Sequence, residues 1–453
     1  MNRSILFLFI LIIALTASLS AQDKLEIYFT QSVDPAYKHN YAQPIETGGE
    51  LIKQRVLQMI DSARFTLDVC VYNNNESDIT NALVRAVNRG VRVRYITDNS
   101  TSNQALKRTL PFSLLYTSSG DGIMHNKFII KDATLSNRAE VMTGSMNLTG
   151  TGIGSDANNV LFILNSDLAI NYQREFEEMW GSDGAIHGNS PPSGNTKTDN
   201  TAHQYVIAGI PIEMYFAPSD HTQDFIGEAL STANYSIWSG MYTLTSNFLT
   251  NKMINAYQLG VSFRGIVDNI GSSKYSLQLM RNAGMDAVEH STSVLFHHKY
   301  CIIDADQPTS DPTVITGSYN WTFSAETIND ENTLIIHDYQ IAQLYQAEFF
   351  TRFCELKPEE CAQLGYRKVT EVSSILGVIT NDLIELPALP LALIDQYVNI
   401  QIVNSSGKPV LFRRQKITEA ESVVVSIGAE PPGIYFLTYG NGTIQLSMKI
   451  IKS

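Results

Sequence analysis

Residues 1–21 carry an apolar pattern found nowhere else in the chain. A positive start at Arg3 leads into an apolar run from Ile5 to Leu15, interrupted only by Ala14. Small residues follow in Ala17-Ser18-Leu19-Ser20-Ala21. Basic start, short apolar centre and small-residue end predict a secretory signal peptide over 1–21. The run is short for a bilayer span, and an uncleaved anchor helix is the alternative this pattern leaves open. No later segment is long and apolar enough to cross a membrane, so the mature protein is expected to be soluble and exported.

Beyond residue 21, apolar runs of strand length alternate with helical stretches, and the order repeats. Leu25-Glu26-Ile27-Tyr28-Phe29 matches Ile212-Glu213-Met214-Tyr215-Phe216, and Phe65 to Tyr72 matches Ser236 to Tyr242. A helix follows each of the latter pair and ends at Gly90 or Gly260, where glycine suits the left-handed residue past a helix end. The strands Val91 to Asn99 and Val261 to Asn269 come next. The copies are offset by 170 residues at those glycines and by 173 at Gly144 and Gly317. A near-constant offset over about 150 residues marks a duplication. Alternating strands and helices predict an α/β fold of two lobes, 22–180 and 204–366, each around a parallel or mixed sheet.

Residues 181–203 are punctuated by Gly181, Gly184, Gly188, Pro191, Pro192 and Gly194, lack apolar periodicity, and read as a linker. From 372 to 453 the period changes to short β runs at 398–403, 409–412, 423–427, 434–439 and 444–451. Turn signals at Ser405-Ser406-Gly407 and Gly440-Asn441-Gly442 separate them, predicting a small β-sandwich. This region has no His or Cys and no catalytic constellation.

Composition narrows the field. The chain has 453 residues, 44% hydrophobic, 17% charged, with a net charge of -13. That balance disfavours broad electrostatic binding to nucleic acid, which leans on excess Lys and Arg. The four cysteines form no CxxC pair, so a zinc site is not expected. Cys354 and Cys361 flank a short segment and could pair in an oxidising compartment. Cys70 and Cys301 sit in apolar strands and read as buried small side chains.

The chemistry lies in two matching segments. The first has His125-Asn126-Lys127, Asp132 and Gly144-Ser145-Met146-Asn147; the second has His297-His298-Lys299, Asp304 and Gly317-Ser318-Tyr319-Asn320. Residues two apart on a strand share a face, so each His points with its Lys while Asn126 and His298 point away. His298 therefore reads as a structural histidine; His39, His187 and His290 have no patterned partners. The Gly-Ser-x-Asn segments precede expected helix starts, where Ser, Asn and backbone N–H groups can meet an anion. Phosphodiester cleavage needs a nucleophile, a proton donor for the leaving oxygen and cations for the phosphoryl oxygens. One imidazole can attack phosphorus, the other can protonate the leaving group, and the lysines can hold the charge. No metal or other cofactor is expected: this chemistry requires none, and the sequence shows no carboxylate–histidine cluster for one.

These paired motifs resemble the phospholipase D superfamily, whose signature is His-x-Lys-x4-Asp followed by Gly-Ser-x-Asn. The resemblance covers residues 25–365 and both copies are complete. It implies two α-β-α lobes facing each other across one cleft, and a metal-independent reaction through phosphohistidine. It assigns catalytic roles to His125, Lys127, Asn147, His297, Lys299 and Asn320, with Ser145, Ser318, Glu331, Asp132 and Asp304 supporting; the two Asp residues serve the local fold. Eleven residues past the motif Asn, relatives often carry an acidic residue that orients the opposite lobe's His. Here Glu331 fills that position in the second copy and Asn158 in the first. The analogy makes His125 the nucleophile and His297 the general acid. The ending, with Gly433-Ile434-Tyr435-Phe436 and Met448-Lys449-Ile450-Ile451, resembles the sorting domain of type IX secretion cargo, although Asn381-Asp382 stands where Asn-Pro is usual.

The expected function is hydrolysis of a phospholipid head-group phosphodiester, with a phospholipid or membrane surface as partner. The alternative is a secreted endonuclease of the same superfamily cutting DNA or RNA, against which the acidity counts. Cardiolipin synthase-like transfer is weakened by the absence of further membrane spans, and a silent binding module by two intact motifs. Two lobes completing one site predict a monomer.

Overall fold

The computed structural model describes residues 23–34, 37, 45–117, 122–363 and, in the C-terminal region, 375–379, 383–385, 397–404, 408–416, 424–428, 430–440 and 445–452. The expected signal peptide, His39, Asn381-Asp382 and the Ser405-Ser406-Gly407 turn lie outside the described residues.

The first lobe runs β1 (Lys24–Phe29), β2 (Glu46–Thr47), α1 (Gly49–Asp61), β3 (Thr66–Val71), α2 (Ser77–Asn88), β4 (Arg92–Asp98), β5 (Ser113–Thr117), β6 (Lys127–Lys131), β7 (Glu140–Gly144), α3 (Gly150–Gly154), β8 (Asn159–Leu164) and α4 (Ser166–Trp180). The second runs β9 (Gln204–Ile207), β10 (Ile210–Ala217), α5 (Thr222–Ser231), β11 (Ser236–Met241), α6 (Asn247–Gln258), β12 (Ser262–Val267), α7 (Ile270–Asn282), β13 (Asp286–Glu289), β14 (Lys299–Ile303), β15 (Thr313–Gly317), α8 (Phe323–Thr327), β16 (Glu331–His337), α9 (Tyr339–Leu356) and α10 (Pro358–Gln363). The duplication is visible in the sheets. One is ordered β2-β1-β8-β7-β6-β3-β4-β5, the other β13-β12-β11-β14-β15-β16-β10-β9. Both are mixed: β3-β4-β5 and β11-β12-β13 are parallel, and β6 and β14 run antiparallel to their neighbours.

Each sheet is covered on both faces, which is why its strands read as nearly continuous apolar runs. Alternation sends Ile129 outward to α1, α2 and α3, and Phe128 and Ile130 inward to α4. The second lobe packs α5, α6 and α7 outside β11 to β16 in the same way. The inner faces share one core. Tyr172 of α4 meets Phe216 of the second lobe edge-on at 5.1 Å, and Phe29 of the first lobe meets Tyr345 of α9 at 5.2 Å. Such aromatic contacts add about 0.5–1.5 kcal/mol each beyond area burial. Polar struts repeat the exchange: Thr143 donates to Asn332 at 2.8 Å, and Thr316 to Asn159 at 2.9 Å.

The C-terminal region forms β17 (Ile375–Ile379), β18 (Leu383–Glu385), β19 (Tyr397–Asn404), β20 (Pro409–Lys416), β21 (Val424–Ser426), β22 (Gly433–Gly440) and β23 (Gln445–Lys452). Five strands make one sheet, β17-β23-β22-β19-β20, while β18 pairs with β21 in a separate ladder. The disulfide Cys354–Cys361 ties α9 to α10, and Cys70 and Cys301 are free and buried.

Candidate active site

Both His-Lys pairs sit where β6 and β14 emerge from the sheets. Each entering segment is held by the opposite lobe. His125 donates its backbone N–H to the Asp330 carbonyl at 2.9 Å, and His297 donates to that of Ala157 at 2.9 Å. From behind, Asp98 accepts the backbone N–H of Met124 at 2.8 Å, and Asp268 that of Phe296 at 2.7 Å. The lysines are buried beside the histidines. Lys127 Nζ donates to the His125 carbonyl at 2.6 Å, and Lys299 Nζ to that of His297 at 2.7 Å. Tyr72 and Tyr242 lie over these ammonium groups, with ring centroids 5.0 and 4.8 Å from Nζ.

The partners cross the lobe boundary, and they differ. His125 Nδ1 lies 2.8 Å from both carboxylate oxygens of Glu331. His297 Nδ1 lies 2.9 Å from Asn158 Oδ1 and 3.1 Å from the Ser145 carbonyl. Carbonyl oxygens only accept, and His125 also faces the Ser318 carbonyl. Both rings therefore carry their proton on Nδ1, leaving each Nε2 with its lone pair. The Asn158 amide nitrogen donates to Gly152 and Asp156, which fixes its oxygen toward His297.

One expectation needs correcting. The motif serines do not face an incoming anion. Ser145 donates its single hydroxyl proton to Asn158 Oδ1 at 2.9 Å, and Ser318 donates to Glu331 at 2.6 Å. Each also accepts a backbone N–H, from Asn159 and Asn332 respectively. The serines thus hold the two groups that orient the histidines. The preceding glycines are dictated by close approach: at Gly144 and Gly317, φ is 142° and 147°, and a Cβ would come within 2.3 and 2.2 Å of the Asn159 and Asn332 carbonyls. The motif asparagines keep unused capacity, since Asn147 Oδ1 and Asn320 Oδ1 are buried without a partner.

Asp132 and Asp304 lie away from the histidines, at φ 47° and 51°. Asp132 accepts the backbone N–H groups of Arg64, Phe65 and Thr66; Asp304 accepts those of Asn234, Tyr235 and Ser236. Each closes the turn ahead of its lobe's central strand. His298 faces away from the site and bridges Asn159 and Glu348, both at 3.1 Å.

The electrostatics suit an anion. Burial pushes both imidazoles well below the usual histidine range, and the ammonium groups of both lysines push the same way. Burial lowers Lys127 to about 7 and Lys299 well below an ordinary lysine. Glu331 is raised by burial to about 8, with Lys127 and Ser318 opposing. A site with two buried amines and one carboxylate gains charge balance when a phosphate anion enters.

Several positioning residues escaped the sequence reading: Asp98, Asp268, Tyr72, Tyr242, Asn159 and Asn332. Aligning the copies contains their signal, because each pair is identical at matching positions. The linker, read as a segment without apolar periodicity, inserts the buried side chain of Lys197 between the lobes. Nor did the sequence reveal that Asp199, His203 and Asp220 converge, with possible ligand atoms within 4.8 Å. Hydrogen bonds already engage that group: His203 Nδ1 meets the Met214 carbonyl at 2.9 Å, and Asp220 accepts from Phe216 N at 2.7 Å.

Two mixed-sheet lobes contributing matched His-Lys pairs to one cleft define a duplicated protein with a composite anion site. The chain belongs to the phospholipase D-like family: residues 56–180 and 226–352, together more than half of it, match the family described as cardiolipin synthase, PLD-like domain. A phospholipase D of Rickettsia typhi is 31% identical over 139 residues, which is 30% of this chain and 65% of that protein. A mitochondrial cardiolipin hydrolase of Xenopus tropicalis is 32% identical over 153 residues, 33% of this chain and 70% of that protein. The crystal structure of phosphatidylserine synthase from Haemophilus influenzae shares the fold, with a TM-score of 0.50 at 13% identity, covering 70% of this chain and 88% of that one. Residues 382–453 match the secretion system C-terminal sorting domain, which indicates export.

Proposed function

We propose that this protein is an exported phosphodiesterase that hydrolyses a phospholipid head-group ester through a phosphohistidine on His125. The observation that carries the reading is the unequal pairing of the histidines, Glu331 on His125 and Asn158 on His297. A carboxylate on Nδ1 raises the basicity of the ring and stabilises the cation formed when Nε2 attacks phosphorus. In the first step the His125 Nε2–P bond forms, the P–O bond to the leaving group breaks, and His297, which takes up a proton on Nε2 as the phosphodiester anion enters, gives that proton to the leaving oxygen. In the second, His297 takes a proton from water, the water oxygen bonds to phosphorus, and the P–N bond breaks. Lys127 and Lys299 hold the phosphoryl oxygens, and the Asn147 and Asn320 amides complete the cradle.

Three observations support a lipid substrate. The net charge is -13. Exposed apolar side chains flank the second motif: Val294 and Leu295 just ahead of His297, and Phe323 three residues past Asn320. The relatives above are named for lipid substrates. The test offers the purified protein phosphatidylcholine vesicles and plasmid DNA, beside a His125→Ala control. Choline release lost in that variant is the expected result; nicked DNA without choline release would reject lipid hydrolysis in favour of nuclease action.

A further inference from the structure

Outside the motifs, and among the described residues, a fully buried charge cluster is built on the interlobe linker. Lys197 follows a single 3₁₀ turn at 194–196, and its side chain is fully buried. Its Nζ pairs with Glu175 of α4, with Asp330 at 3.2 Å, and donates to the Ala217 carbonyl at 3.1 Å. The linker reaches Asp330 a second time, through the Gly194 N–H at 2.8 Å. Asp330 is no ordinary neighbour. Its carbonyl accepts the His125 N–H and its own N–H donates to the Ile123 carbonyl, a two-bond clamp on the segment that delivers His125. The next residue is Glu331.

The other half of the molecule lacks this device. Ala157 occupies the place of Asp330 beside His297, and has no side chain for a cation to hold. Glu348, which matches Glu175 in the duplication, is spent on His298 and Tyr300. Both departures from symmetry therefore fall around one histidine. The linker cation and the Glu331 carboxylate both serve His125.

Resting on the proposed reaction, we propose that Lys197 is a positioning residue that holds the Glu331–His125 pair in register through Asp330. The linker is thus a structural part of the nucleophile's setting as well as a tether. Three carboxylates, Glu175, Asp330 and Glu331, crowd this region. Lys197 supplies the charge that lets Asp330 stay ionised and fixed while its neighbour addresses the imidazole.

The test compares wild type, Lys197→Met, and the double variant Glu175→Gln/Lys197→Met, which removes one buried charge of each sign and leaves the net charge of the cluster unchanged. One readout is steady-state hydrolysis of bis-p-nitrophenyl phosphate. The second needs no activity: the downfield proton resonance of His125 Nδ1–H, identified by its loss in His125→Ala. A folded double variant is expected to lose kcat about 10–100-fold with KM little changed, and to lose or shift the resonance. A folded double variant with wild-type kcat and an unmoved resonance overturns the proposal. A wild-type protein without phosphodiesterase activity would instead reject the proposed reaction, while the resonance comparison still decides the role of Lys197.

Discussion

Replacing Glu331 with Gln makes the setting of His125, the proposed nucleophile, a chemical copy of the other half, where an amide already faces the ring. Ser318 and the Ser318 carbonyl remain, and the new amide oxygen can still accept from Nδ1, so the geometry should persist. What disappears is the carboxyl group 2.8 Å from Nδ1, raised by burial to about 8 in the resting site and ionised once a cationic ring faces it. In the proposed reaction His125 becomes cationic during attack. Opposite charges about 4 Å apart at an effective dielectric of 20 are worth about 4 kcal/mol, and a charge-assisted hydrogen bond adds about 1.5–3 kcal/mol net in mutational series. Taking about 2–4 kcal/mol for the loss, kcat should fall roughly 30- to 1000-fold. Hydrolysis of bis-p-nitrophenyl phosphate measures the fall. Base-quenched peptide mapping, which preserves the phosphoramidate, locates the phosphate. A Glu331→Gln enzyme within threefold of wild type would refute the reasoning, as would phosphate trapped on His297; the threefold margin is about 0.6 kcal/mol, well below the expected loss.

Other outcomes follow from the same geometry. Tungstate, a phosphate mimic that stays ionised at neutral pH, should take up about one proton on binding between pH 7 and 8, because an anion raises the depressed lysine pKa values back toward normal. Its affinity should weaken as pH rises through that window, and calorimetry in buffers of different ionisation enthalpy reads the uptake directly. Asp304→Ala should orphan three backbone N–H groups and leave alanine at a left-handed φ, costing roughly 3–5 kcal/mol in denaturant unfolding while the folded fraction keeps its kcat. Replacing Cys354 and Cys361 with Ser should lower unfolding free energy by about 2–3 kcal/mol, given the short loop they close, and leave activity unchanged.

The legible and illegible parts of this protein divide along physical lines. Strand and helix order was readable because both faces of each sheet are covered and the duplication printed every element twice. The histidines and lysines were readable because strand periodicity alone puts them on one face. The cross-lobe pairing of Glu331 with His125 was readable only through the family's pattern, since no local period relates residues 206 apart. The serines were read as supporting residues, but the direction of their hydroxyls was not legible, because a hydroxyl ahead of a helix start looks the same whether it serves a ligand or a neighbouring side chain. Lys197 was invisible because a Gly- and Pro-rich segment carries no periodicity, and one lysine within it reads as solvated surface. The conversion of Asp98 and Asp268 from strand ends to backbone anchors likewise depends on where the chain turns back.

The interdigitated aromatic core has a consequence for how the two halves could change. Had they been separate copies of one gene product meeting as a pair, positions 158 and 331 would be a single codon, and any exchange there would strike both sides of the cleft at once. Joining them in one polypeptide, with Tyr172 against Phe216 and Phe29 against Tyr345 keeping the mating surface reciprocal, frees each half to drift independently where it matters. One half could give up its carboxylate while the other kept it. Fusion is what lets the two halves differ at positions 158 and 331 while they keep one shared mating surface.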